Sequence, residues 1–131
     1  MEIKKRDELQ KAWLKSAIED LETAKDLFKL GRFSGCLFFC HLVIEKTLKA
    51  IYVKVNDTYP PPIHKLVNLA NLSKIELDTE IKLYLTEIST FNVEARYDIF
   101  KEKLYKKATQ EFTQKYFNIT KELFIKFKSL I

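Results

Sequence analysis

The chain has 131 residues, of which 47% are hydrophobic and 31% charged, with a formal charge of +5; this is the length and apolar content of one domain around one core. Two Gly, three Pro and two Cys exclude a turn-rich sheet protein and a disulfide scaffold and favour long helices. The mild basic excess suits an anionic ligand, an acidic partner protein or RNA and selects none of them.

Met1–Glu8 carries charges with no apolar segment behind them, so it does not read as a secretory signal. No run approaches the ~20 uninterrupted apolar residues of a membrane span. A soluble, cytoplasmic single domain over residues 1–131 is expected, with no membrane partner.

Leu9, Trp13, Ala17, Ala24, Leu27 and Phe28 recur near the helical period and predict an amphipathic helix from about Asp7 to Leu30. Asp7 is the candidate cap, with Gln10 completing a weak reciprocal box, and Gly31 supplies the left-handed residue that follows a helix end. A second helix is predicted from the Gly31–Gly35 break to about Val55. Asn56–Pro62 stops it, because each proline removes an amide donor and restricts its predecessor to extended backbone. Ile63, Leu66, Leu69, Ala70 and Leu72 predict a short third helix, and Asp78 caps a fourth with Ile81, Leu85 and Ile88 facing inward. The periodicity fades through Asn92–Asp98, where a loop is expected. A last helix then runs almost to the C-terminus on Leu104, Ala108, Phe112, Tyr116, Ile119, Leu123 and Phe127. The class is all-α: an up-and-down antiparallel four-helix bundle with an additional short helix.

Cys36, Cys40, His41 and Glu45 place potential ligands and nucleophiles in ten residues of an apolar run. On a helical wheel Cys36, Cys40, Val43, Ile44, Thr47 and Ile51 share one face, while His41, Glu45, Leu48 and Tyr52 lie about a third to a half turn away. The thiols therefore diverge from the histidine, which opposes both a zinc site with four convergent ligands and a cysteine–histidine nucleophile. The cysteines read as reduced core thiols, and no metal or other cofactor is expected. His41 and Glu45 stand at i and i+4, where they can pair with each other or orient an incoming group. A helix apolar on more than one side is either central to the bundle or packed across a dimer interface. No Gly-Lys-Ser/Thr follows Gly31 or Gly35, so there is no phosphate-binding glycine loop. Arg96 and Tyr97, read as lying between helices and followed by Lys101, Lys103, Lys106 and Lys107, are the best surface candidates for a phosphate or an acidic protein patch.

Several segments, in order, resemble a HEPN domain, the small helical module often encoded beside minimal nucleotidyltransferases in bacteria and archaea. These are Trp13 with Ala17-Ile18-Glu19-Asp20-Leu21 and Ala24; Gly31-Arg32-Phe33 with Cys36 to Phe39; Glu45-Lys46-Thr47-Leu48-Lys49-Ala50; His64-Lys65-Leu66 with Leu69; and Ala95-Arg96-Tyr97. Glu45 to Ala50 resembles the family's Glu-Lys-x-Leu-Lys-Ala signature and carries most of the match, which spans about Trp13 to Tyr97. The resemblance implies a helical bundle that is usually a homodimer, with toxin or antitoxin roles among family members. Ribonuclease members carry an Arg followed after four to six residues by His. Here no histidine follows Arg96, and Tyr105 or a lysine, with ordinary pKa values of about 10, is a poor proton-transfer substitute near neutral pH.

The resemblance thus implies a non-catalytic interaction module, a homodimer that binds a separately encoded minimal nucleotidyltransferase and a nucleotide or RNA. The alternatives are a metal-independent, toxin-like ribonuclease, in which Arg96 binds phosphate and His64 or His41 moves protons, and a nucleotide-binding regulator. Arg96, Tyr97, His64, His41, Glu45 and Lys49 are the candidate ligand- or partner-binding residues; no catalytic residue is assigned.

Overall fold

The computed structural model describes residues 1–131 and contains six helices: α1 (Ile3–Lys29), α2 (Phe33–Asn56), α3 (Leu66–Leu72), α4 (Thr79–Arg96), α5 (Asp98–Lys107) and α6 (Gln110–Lys128). The four main helices α1, α2, α4 and α6 form the expected up-and-down bundle. Helix α2 is its axis, packing against α1, α3, α4 and α6. Thirteen of its 24 residues are buried, which explains why its apolar positions occupy more than one face. Val43, Ile44, Leu48 and Ile51 meet Leu66, Leu69, Leu85, Ile88, Phe91 and Phe127 in the main core. Helix α1 is peripheral, burying fully only Ala17 and Ala24, small residues that permit close approach to α2.

Cys36 and Cys40 are buried in a separate small cluster with Ala24 and Phe117. Hydrogen bonding to Cys40, together with burial, pushes the Cys36 thiol far above its ordinary pKa, so it is an inert core group rather than a nucleophile. No helix is long and apolar enough to cross a membrane.

The local stop and start chemistry holds at two expected positions. Gly31 takes φ +72°, and the amides of Gly31 and Arg32 reach back to the carbonyls of Phe28 and Leu27 at 3.0 and 2.8 Å, the paired bonds of a left-handed helix terminus. Asp78 accepts the Ile81 amide at 2.8 Å. Asp78→Ala is therefore expected to destabilise the fold by about 1 kcal/mol, read as a lower urea midpoint with an unchanged slope; a change below a few tenths would deny the cap its role.

Three expected boundaries are corrected. Asp7 does not cap α1, which starts at Ile3 after Glu2. The extra turn is tied down by tertiary ion pairs, because Arg6 and the terminal amine lie 3.7 and 3.6 Å from Asp57, the left-handed residue ending α2. Asn92–Arg96 is the last turn and a half of α4, not a loop, and only Tyr97 separates α4 from α5. Its polar residues find partners among neighbours: Arg96 Nε donates to Asn92 Oδ1 at 2.6 Å, and one oxygen of buried Glu94 accepts from Lys107 at 3.1 Å. Finally, the single last helix is two. Thr109 accepts the Phe112 amide at 3.1 Å and opens α6, so that α5 packs mainly on α4 while α6 packs on α2.

Candidate functional site

Three successive turns of α2 present His41, Glu45 and Lys49 along one side of the helix. The segment leading into α3 brings His64 to them: its Nδ1–H donates to Glu45 Oε1 at 2.5 Å, and its backbone carbonyl accepts from His41 Nε2 at 3.1 Å. His64 is thus held at both ends. The other Glu45 oxygen lies 3.6 Å from the Lys49 ammonium, which stands 5.1 Å from the centre of the Trp13 ring of α1. Glu45 and Lys49 are buried, whereas the His64 side chain is 49% exposed. His41 and Glu45, possible partners at i and i+4, each bond His64 instead.

The Glu45–Ala50 signature is a set of fastenings. Glu45 anchors His64, and the Lys46 ammonium lies 2.6 Å from the Asp20 carboxylate and donates to Ser16 at 2.7 Å, joining α2 to α1. The Thr47 hydroxyl donates to the Val43 carbonyl at 2.7 Å, which satisfies a buried polar group within the helix. Leu48 and Ala50 enter the core, and Lys49 covers Trp13. The His64-x-Leu66-x-x-Leu69 segment completes the contact by burying both leucines.

Because a carbonyl can only accept, His41 holds its proton on Nε2 and leaves Nδ1 buried without a partner. Burial pushes the His41 pKa below its ordinary value; the His64 carbonyl and Glu45 oppose this, while the positive fields of His64 and Arg96 add to it. The unfolded chain therefore binds more protons than the folded one as pH falls through about 6.5, the ordinary value, and His41's contribution, full above that pH, is lost as pH drops toward its lower folded-state pKa. Thermal unfolding should show the midpoint falling as pH drops below about 6.5, and His41→Gln should flatten that slope; an equal slope in the variant would assign it elsewhere.

Arg96 reaches the same neighbourhood from the end of α4. Its Nε is engaged by Asn92, and the guanidinium carbon lies 5.7 Å from the centre of the Phe38 ring of α2. Arg96 and His64 thus flank His41 electrostatically. Tyr97 is 59% exposed at the junction of α4 and α5, outside the buried row. Of the following lysines, Lys101 and Lys106 pair with Asp98 and Glu102 on their own helix, while Lys107 is drawn inward to Glu87 and Glu94 at 3.0 and 3.1 Å. Burial opposes the charge on Lys107, but hydrogen bonds to both carboxylates outweigh it and raise its pKa.

Residue spacing alone does not reveal Trp13 and Phe38 as cation-facing rings or Asn92 as the Arg96 partner, although the i to i+4 spacing of Asn92 and Arg96 is a usable signal. No group of three or more His, Cys, Asp or Glu is arranged to hold a metal ion. Chemically, the cluster offers a half-exposed imidazole oriented by a carboxylate, a buried neutral imidazole, and a braced guanidinium.

No curated protein matches the sequence. The crystal structure of TT1696 from Thermus thermophilus is similar in fold, with a TM-score of 0.79 over 93% of this chain and 98% of that one at 12% identity. The HEPN domain family model matches residues 10–130, extending past Tyr97 through the last helix, where the residue-level resemblance thins to pattern. With the signature fastenings of α2 inside a match of that length, the chain belongs to the HEPN domain family.

Proposed function

We propose that the protein is a non-catalytic HEPN interaction module, a homodimer that binds a separately encoded minimal nucleotidyltransferase. The observation that carries this reading is the commitment of both histidines to internal contacts. His41 is fully enclosed, and His64 is pinned through its ring and its carbonyl. General acid–base catalysis needs a proton carrier within hydrogen-bond reach of the reacting group, and here His41 is enclosed while the Nδ1 of His64 is committed to Glu45. An interaction role is supported by Tyr97, Ile99, Phe100 and Tyr105, exposed apolar side chains gathered on and beside α5. Such gatherings mark contact surfaces more often than isolated exposed residues do.

Co-expression with a nucleotidyltransferase encoded next to this chain, followed by size-exclusion chromatography with light scattering, tests the proposal. A joint peak containing a dimer of this chain is expected, lost on Ile99→Asp with Tyr105→Asp; two separate peaks at micromolar concentration would reject it. The ribonuclease reading keeps one specific support, the carboxylate-oriented and half-exposed imidazole of His64. Its signature is metal-independent RNA cleavage abolished by Arg96→Ala and by His64→Ala. Intact RNA with the unaltered protein removes it.

A further inference from the structure

Helix α5 is fastened to the bundle by little apolar contact. Of its ten residues only Leu104 is buried, whereas Ile99 and Tyr105 are 83% and 75% exposed. Both its ends interrupt the helical backbone. Tyr97 is extended at φ −107° and ψ 125°, and Ala108 has ψ 59°, so rotation at these two points moves α5 without unwinding α4 or α6. Beside it runs a solvent-open groove of about 480 Å³ whose walls are Ser34, Gly35 and Phe38 of α2, Ala95 of α4, and Lys101, Glu102, Leu104 and Tyr105 of α5 itself, so α5 does not close onto α2 along this side. The main remaining tie is ionic: Lys107 reaches Glu87 and Glu94, and Lys103 lies 3.7 Å from the same Glu94 oxygen. The second Glu94 oxygen is buried without a partner, so the clasp engages only one side of that carboxylate.

We propose that α5 is a latched strap that swings out about Tyr97 and Ala108 while the rest of the bundle stays folded, uncovering the face of Phe38 that borders Leu104 and Tyr105. The Lys107 clasp is its latch and Leu104 its peg. Arg96 does not travel with the strap, because Asn92 holds it on α4, and it is exposed with the strap closed. Segments with few buried apolar contacts open at lower free energy than the core they rest on, and here the opening segment is bounded by two ready-made hinges. The strap goes beyond the partner-binding reading and does not depend on who the partner is.

Hydrogen–deuterium exchange of the full chain, resolved by mass spectrometry, tests it. Amides of residues 99–107 should exchange at least a hundredfold faster than those of Val43–Ile51. Lys107→Met, which keeps an aliphatic stem beside Phe91, should accelerate α5 at least tenfold and leave α2 unchanged, and Leu104→Ala should do the same. Protection of α5 equal to that of α2 overturns the strap, as does either variant accelerating both helices together. If neither variant folds, the comparison within the unaltered chain decides. Light scattering on the same sample separates the outcome from self-association: a dimer with a rapidly exchanging α5 supports the strap, and a dimer with a protected α5 overturns it.

Discussion

Glu45→Ala is expected to lower the stability of the fold by about 3–5 kcal/mol, the range for removing one member of a buried ion pair. Glu45 sits between the His64 imidazole and the Lys49 ammonium. Its loss leaves Lys49 buried against Trp13 with no counter-charge and frees the ring of His64, one of the two links that hold the end of the proline loop against α2. His64→Ala should cost less, about 1 kcal/mol, because half of that ring is already in water and only one hydrogen bond to a charged group is lost. Urea unfolding of Glu45→Ala, His64→Ala and the double variant gives their coupling. Additive single effects would show that the two side chains do not support one another, and a Glu45→Ala cost below about 1 kcal/mol would contradict the role of Glu45 as the central anchor.

Phe91→Ala should cause a comparable loss of about 3–5 kcal/mol through lost burial and the cavity left behind. Phe91 is fully buried where α4 meets α6, with ring centroids 6.1 Å from Phe112 and 5.6 Å from Tyr116 in edge-on arrangements, and the Lys107 ammonium lies 5.7 Å from its ring centre. It therefore supports three elements: α4, which carries Arg96; α6; and the end of α5. A drop in Tm of roughly 10–20 °C is expected for a domain of this size. Phe91→Leu should recover most of it, since volume-conserving apolar changes in a core cost less than about 1.5 kcal/mol. Equal losses for Leu and Ala would instead assign the effect to the aromatic edge contacts.

Much of the molecule is legible one residue at a time. Gly31 and Asp78 act through bonds to amides and carbonyls within a few residues, so their effect needs no tertiary partner. The spacing of apolar residues along α2 reveals a helix covered on several sides, and the divergence of Cys40 from His41 is carried by the wheel itself. Asn92–Asp98 reads wrongly as a loop because its polarity resembles one. Its helical state depends on Lys107 supplying the charge that lets Glu94 be buried, and that lysine is 13 positions away. The break at Thr109 is hidden for the converse reason: the apolar spacing of Leu104, Ala108 and Phe112 runs through it unbroken, while the cap and the different supports of α5 and α6 stop the helix.

The candidate site divides in the same way. Spacing alone places His41, Glu45 and Lys49 on one side of a helix, and resemblance singles out Arg96 and Tyr97. By itself the sequence determined an all-α bundle, its family signature and the absence of a histidine after Arg96, because each is a property of neighbours or of order along the chain. Tertiary structure alone decided that Glu45 and His41 would both spend their hydrogen bonds on His64, across 19 and 23 positions. It also decided that Arg96 would lean on Phe38 and that α5 would border an open groove against α2. Those outcomes depend on which helix faces which, and that is settled only when all the apolar faces are buried together.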